Sequence, residues 1–215
     1  MSIQERPLRA DAERNRRRLL DAARTLFAER GLNVSMDDIA REAGVGVGTA
    51  YRRFSSREAI VVALFDERLD EMETRARAAA ADPDPWHALT EFFTGSMAHQ
   101  ARDRGLKQLL FSSVEGREKV AQMRARVMPI IQDVVDRAKV AGVLRSDVEL
   151  ADFHVISFMV GSVVDFAAPV DGELWQRYSV LLFDALRPGR TTPLPRAALT
   201  PEQMQTAMEC WRPPR

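Results

Sequence analysis

The sequence predicts an all-α fold, and three observations carry that expectation. Apolar residues recur at intervals of three and four along most of the chain, the spacing of one buried helical face. Ser, Thr or Asp stands just ahead of several of these runs, and Gly or Pro just after them. No stretch alternates apolar and polar residues as a half-buried strand would, and no internal repeat is present.

In the first helix Leu19, Leu20, Ala23, Leu26 and Phe27 form the inward stripe, with Asp11 as N-cap and Gly31 as the stop. Ser35-Met-Asp-Asp38 reads as a capping box that opens a short second helix with Ile39, Ala40 and Ala43 inward, ended by Gly44. Residues 47–54 make a short third helix. Ser55-Ser-Arg-Glu58 is a second capping box, and a long helix follows to about Ala81, with Ile60, Ala63, Leu64 and Leu69 repeating. Pro83 and Pro85 interrupt the chain. Further helices are expected over 86–103, 105–114, 116–141, 148–167 and 172–187, with turns at Gly105, Gly142 and Pro169–Gly172. A Pro/Thr linker follows Pro188, and a terminal helix over 201–211 has Thr200 as its N-cap. The expected organisation is a head over 1–57, a helical body over 58–188 whose first segment 58–81 connects the two, and a linker with a short helix over 189–215.

Charge separates head from body. The whole chain carries 31 basic and 31 acidic residues, a balance that argues against a protein that coats nucleic acid. The distribution of those charges points the other way. Residues 1–57 hold twelve arginines and eight acids, a net of +4, and the remaining 19 basic and 23 acidic residues give the rest −4. A basic head on an acidic body suggests an anionic partner for the head. The arginine run 14–18 reads equally as a solvated helix end and as a backbone-phosphate contact. The lone Cys210 excludes an internal disulfide, and three histidines without HxxxH, CxxC or ExxH spacing leave no metal site; no cofactor is expected. The longest apolar stretch, 153–164, is too short to span a bilayer, and the charged start is no signal peptide, so a cytoplasmic protein without a membrane partner is expected.

Three short helices with a tight Gly turn between the second and third are the helix-turn-helix plan. Ala40, Ala43 and Ala50 are small enough for two helices to cross closely. Gly44 tolerates positive φ. Gly46, Val47, Gly48 and Thr49 leave little bulk at the front of the third helix, which must enter the major groove. Arg52, Arg53 and Arg57 add positive charge beside Tyr51. The string GVGVGT (44–49) also contains the start of a phosphate-binding glycine fingerprint, but a helical segment precedes it where that motif needs a strand.

Residues 12–64 resemble the DNA-binding domain of the TetR family of transcriptional regulators. The resemblance rests on RRRLLDAARTLFAERG (16–31) and SMDDIAREAGVGVGTAYRRFSSREAIVVAL (35–64). GVLRSD (142–147), YSVLLFDALR (178–187) and the tail LTPEQMQTAMECWRPPR are similar to later family segments. It implies that Ser35, Tyr51, Arg53 and Arg57 contact phosphates, and that Thr49, with Gly46, Val47, Gly48 and Arg52, faces base edges. Gly46 stands where the family often has serine, and Ala50 where leucine is frequent. With few side chains able to grip a base bidentately, backbone contacts and DNA shape are expected to carry much of the affinity.

The same resemblance implies an inducer cavity in the body, for which Phe92, Met97, Phe111, Met123, Met128 and Phe158 are the candidate lining residues; the bland alternative is ordinary core. Helix 148–167 is apolar around much of its girth, and helix 172–187 repeats Leu174, Tyr178, Leu181, Leu182 and Ala185. A two-fold pairing through Phe153, Ile156, Val160, Val164, Tyr178, Leu181 and Leu182 would cover both, and burial within one chain would cover them too. The expected function is a homodimeric, ligand-responsive repressor of a palindromic double-stranded DNA operator, released by a small apolar or amphipathic effector. A DNA-binding regulator without an effector, an activator, and a helical enzyme are the alternatives. The enzyme lacks a nucleophile–base pair or paired-carboxylate motif.

Overall fold

The structure, a computed structural model, describes residues 5–30, 33–102, 114–189 and 192–210. Among the described residues there are nine helices and no strand: α1 (Glu5–Arg30), α2 (Met36–Glu42), α3 (Val47–Arg53), α4 (Arg57–Ala81), α5 (Pro85–Arg102), α6 (Val114–Val140), α7 (Leu150–Ala167), α8 (Trp175–Ala185) and α9 (Pro201–Cys210). The fold is all-α, as expected. The helices form two compact units. One takes the chain to Glu71 together with 102–122, and the other takes 72–101 and the chain from Met123 onward.

In the first unit the α1 stripe faces inward as its spacing requires: Leu19, Leu20, Ala23, Leu26 and Phe27 are all buried. They share the core with Ile39 and Ala40 of α2 and with Ile60, Leu64 and Leu69 of α4. Two expected caps move. α1 starts six residues ahead of Asp11, which lies inside the helix and pairs with Arg14 one turn on. The α4 cap is Ser56 rather than Ser55, its Oγ accepting from the Ala59 amide at 3.2 Å. Gly31 and the helix expected over 105–114 lie outside the described residues, except Val114. Ion pairs tie the helices laterally. Glu67 of α4 receives Arg16 at 2.9 Å and Arg24 at 3.5 Å, both from α1, and Lys119 of α6 reaches Asp66 at 2.7 Å.

The second unit is organised around aromatic and β-branched residues. Phe93 of α5 stacks on Phe153 of α7, with ring centroids 4.2 Å apart, and Phe92 meets Phe93 edge-on at 5.1 Å. Val127, Ile131, Val134 and Val135 of α6 and Trp175 and Phe183 of α8 fill the rest of this interior. Arg137 of α6 donates to the carbonyls of Ala80 and Asp82, satisfying acceptors that the end of α4 leaves open. Gly142, at a φ of 68°, supplies the expected stop after α6. The tail is fastened by Arg145, which grips Asp147 at 2.6 and 2.7 Å and donates to the Thr192 carbonyl at 3.1 Å. Thr200 caps α9 as expected, with Gln203 returning the bond to its amide at 3.0 Å.

α7 is apolar over most of its length, as expected, but longer in its apolar character than expected. It is 18 residues long with a mean hydropathy of 1.5, so length and composition alone would let it cross a membrane, where a twelve-residue apolar stretch was expected. It packs instead along α8. The α8 residues buried in this chain are Trp175, Ser179 and Phe183; of the repeat noted in the sequence, Tyr178, Leu181 and Ala185 are exposed and Leu174 and Leu182 half-buried.

Removing the Phe153 ring should destabilise the protein by about 3–5 kcal/mol, because a fully buried aromatic leaves a cavity and the Phe93 ring loses its partner. Phe153→Ala should therefore lower the urea midpoint of the second unit strongly. Asp82 lies 2.6 Å from His87 Nδ1, and this bond holds the imidazole pKa above its ordinary 6.5. The folded state thus binds that proton more tightly than the unfolded chain. The pair's contribution to stability is full below the ordinary imidazole pKa and is lost as pH rises through the folded value. An NMR titration should place His87 above 6.5, and Asp82→Asn should bring it back down.

Candidate nucleic-acid interface

The site is built from the chain between Ser35 and Glu58. α2 opens on the expected capping box: Ser35 Oγ accepts from the Asp38 amide at 3.1 Å, and Asp38 Oδ2 accepts from the Ser35 amide at 3.1 Å and its hydroxyl at 2.6 Å. Those two bonds, the hydroxyl's first, hold the Asp38 carboxyl below its ordinary pKa. The Ser35 hydroxyl, expected to meet a phosphate, is thus already donating to a carboxylate.

α2 ends at Ala43, and Gly44 turns the chain with a φ of 60°. The positive φ demands glycine here, and an added side chain would also have to push aside the flexible end of Arg18. A Cβ would fall 2.7 Å from Arg18 Nη2, whose guanidinium donates to the Gly44 carbonyl at 3.3 Å. The Val45 amide closes the turn onto the Ala40 carbonyl at 2.9 Å. α3 then starts with Gly46 as N-cap, its carbonyl accepting from Thr49 and Ala50.

α2 packs on α3, and the three alanines expected at the crossing are all buried, Ala40 and Ala50 at 0% exposure. With Ala50 turned in, the rest of α3 stays exposed: Val47 and Tyr51 are 44% and 50% exposed, and Gly48, Arg52 and Arg53 are exposed as well. Gly46 and Gly48 are not required by the protein's own packing. Nothing lies within 4 Å of a Cβ placed on Gly48, and one on Gly46 meets Thr49 Oγ1 at 4.0 Å. They keep the front of α3 bare.

The cations around this face have partners within the chain. Arg52 donates to Thr49 Oγ1 at 2.9 Å, Arg53 to Glu13 of α1 at 3.2 Å, and Arg57 to neighbouring Glu58 at 3.2 and 3.3 Å. The Glu58 carboxyl is held below its ordinary pKa, first by its own backbone amide, then by Ser56 and Arg57. Within the run 14–18, Arg16 is committed to Glu67 and lies over the Phe54 ring at 5.9 Å, and Arg18 holds the turn. For those two arginines a structural role is visible. Glu13 and Glu67 were not singled out in the sequence. Arg16 and Arg24 stand eight apart, on one face of α1, which was the available clue to a shared acidic partner.

The body residues separate less as expected. Phe92 and Met97 are buried, Met123, Met128 and Phe158 are half-buried, and Phe111 lies outside the described residues. An open groove of about 600 Å³ lies elsewhere, between Arg145, the end of α8 and Thr192–Pro195. Of the residues offered to a second copy, Phe153, Ile156, Val160 and Val164 are buried in their own chain, leaving little area for a partner. Leu182 is half-buried, and Tyr178 and Leu181 are exposed. The exposed apolar residues of α7 are Val155, Met159 and Phe166.

Known proteins share these features. Residues 19–64 match the family described as bacterial regulatory proteins, tetR family, and residues 84–188 match the SbtR-like C-terminal domain of transcriptional regulators. The chain belongs to the TetR family. A TetR regulator from Mycobacterium vanbaalenii is 33% identical, with a TM-score of 0.62 over 85% of this chain and 100% of that one. The HTH-type transcriptional regulator SAR0097 of Staphylococcus aureus (strain MRSA252) is 36% identical over 89 residues, and the match spans 46% of its length. FadR from Bacillus subtilis, solved in complex with stearoyl-CoA, shares the fold at 20% identity and a TM-score of 0.63, covering 80% of this chain and 97% of FadR. As a TetR-family member the chain is a DNA-binding transcriptional regulator and not an enzyme.

Gly44→Ala should cost about 1–2 kcal/mol from positive φ alone, with the displacement of Arg18 added. Urea denaturation should show a lower midpoint for the first unit; an unchanged midpoint would mean that the turn does not need glycine.

Proposed function

We propose that this TetR-family regulator is a homodimeric repressor that binds a palindromic operator through α3 and is released by a small apolar or amphipathic effector. The observation that carries the reading is the outward row Val47, Gly48, Tyr51, Arg52 and Arg53 over a fully buried Ala50. It offers a narrow, cationic helix front of the kind that enters a major groove. Ser35, Gly46, Thr49 and Arg57 flank that row and complete the contact set. Residues 1–57 act as the reader, 58–188 as the regulatory and dimerising region, and 189–215 as an appended tail.

Dimerisation is supported by α7. A helix with a mean hydropathy of 1.5 is only 28% buried in its own chain, and Val155, Met159 and Phe166 lie 4 and 7 residues apart on its exposed side. Tyr178 and Leu181 extend that apolar area onto α8. A second copy related by a two-fold axis would cover both helices, and would pair two α3 helices for half-sites one helical turn or more apart.

An effector acts by preferring a state in which the two readers are wrongly spaced. A tenfold loss of DNA affinity needs about 1.4 kcal/mol of differential binding. The stearoyl-CoA bound to FadR supports an amphipathic ligand by fold likeness. A regulator without a small-molecule effector is the second reading, favoured by the close burial of Phe92 and Met97. Either regulator works in the cytoplasm, with its DNA.

Selection of bound fragments from a random duplex pool, followed by footprinting, should return a two-fold symmetric site. Leu181→Glu should yield a monomer by sedimentation and lose the two-half-site affinity while keeping its helical content. No enriched sequence, or a wild-type monomer on the selected site, would overturn the proposal.

A further inference from the structure

Among the cations on the α3 face, Arg53 is held by an acid from another helix. Its Nη2 lies 3.2 Å from Glu13 Oε2, 40 residues away on α1. The geometry points to Glu13 as an affinity-setting residue for DNA: it neutralises Arg53 in the free protein and must release it when a backbone phosphate arrives. This rests on the proposed role of α3 as the DNA-reading helix.

Three observations support it. First, the pair is exposed, with side-chain accessibilities of 36% for Arg53 and 62% for Glu13. Exposed pairs are weak enough to be exchanged for another anion without unfolding anything. Second, Arg53 is the last residue of α3 and, three positions after the buried Ala50, lies at the exposed flank of the helix beside Tyr51 and Arg52, so a phosphate that reaches this edge competes with the Glu13 carboxylate for the same guanidinium. Third, Glu13 lies on the same helix as Arg16 and Arg24, both anchored to Glu67, so its position is fixed by the core of the first unit rather than by a loose arm. The contrast with Arg16 gives the logic. Arg16 is more enclosed, at 28%, and braces α1 to α4, whereas Arg53 is cross-linked at the surface where a polyanion is expected.

Phosphate contacts carry no sequence information, so the effect of Glu13 should be uniform across sequences. Arg53 neutralises its phosphate in the complex whether or not Glu13 is present, so removing Glu13 should shift the affinity and leave the log–log salt slope, about 0.9 per phosphate contacted, nearly unchanged. Glu13 thereby holds down binding to arbitrary DNA as strongly as binding to an operator.

The test is a fluorescence-anisotropy titration of the full chain with a selected operator duplex and a scrambled duplex, at several salt concentrations. Glu13→Gln should raise affinity for both duplexes by a similar factor, about two- to fivefold at low salt, with little change in the salt slope. Arg53→Ala should weaken both and flatten the slope, and Glu13→Gln added to Arg53→Ala should change nothing further. Circular dichroism melts check that each variant is folded. Wild-type binding with no change in Glu13→Gln, or a gain that persists without Arg53, overturns the role of Glu13 and leaves the α3 reading standing. Failure of the wild type to bind either duplex overturns that reading, and the role of Glu13 with it.

Discussion

The closeness of α2 and α3 governs the rest of the first unit. Ala40 and Ala50 have no solvent exposure, as small residues between two packed helices do. That contact sets the rotation of α3, and with a seven-residue helix rotation is the whole of its function. Turning Ala50 inward puts Gly48 and Arg52 on the far side and leaves Tyr51 and Arg53 exposed at the flanks. The left-handed turn at Gly44 makes the approach available, and Arg18 holds that turn through the Gly44 carbonyl.

Electrostatics follows the same plan at longer range. The +4 of the first 57 residues is not a bare field of cations. Arg16 and Arg24 converge on Glu67, Arg53 on Glu13 and Arg57 on Glu58. Some of these bonds assemble the helices and others pair guanidinium groups at the surface. Net charge alone does not distinguish the two uses; burial and the helix that supplies the acid do.

Much of the fold was legible in the sequence because helical periodicity is a local property. The α1 stripe, the Ser35 and Thr200 caps and the Gly44 and Gly142 turns all depend on residues within one or two helical turns. Caps misplaced in the sequence show the limit of local reading. Asp11 has the right side chain for an N-cap, but the chain ahead of it continues as helix. Ser55 and Ser56 are chemically the same, and the backbone selects the second. The candidate interface was legible for a similar reason, since Gly44 to Arg53 is contiguous, whereas the acids that meet Arg16, Arg24 and Arg53 come from 40 residues away or more.

The body was harder to read. α7 and α8 are apolar on more than one side, and periodicity states that a face is apolar without saying what covers it. Phe153, Ile156, Val160 and Val164 serve their own chain, and Val155, Met159 and Phe166 take the outer side. Composition, periodicity and the Gly–Thr–Ala–Tyr–Arg–Arg string were enough to establish an all-α chain with a helix-turn-helix head. Which apolar face is inward, which serine caps α4 and which acid holds Arg53 were settled by packing, because each depends on residues far apart in the chain competing for one position in space.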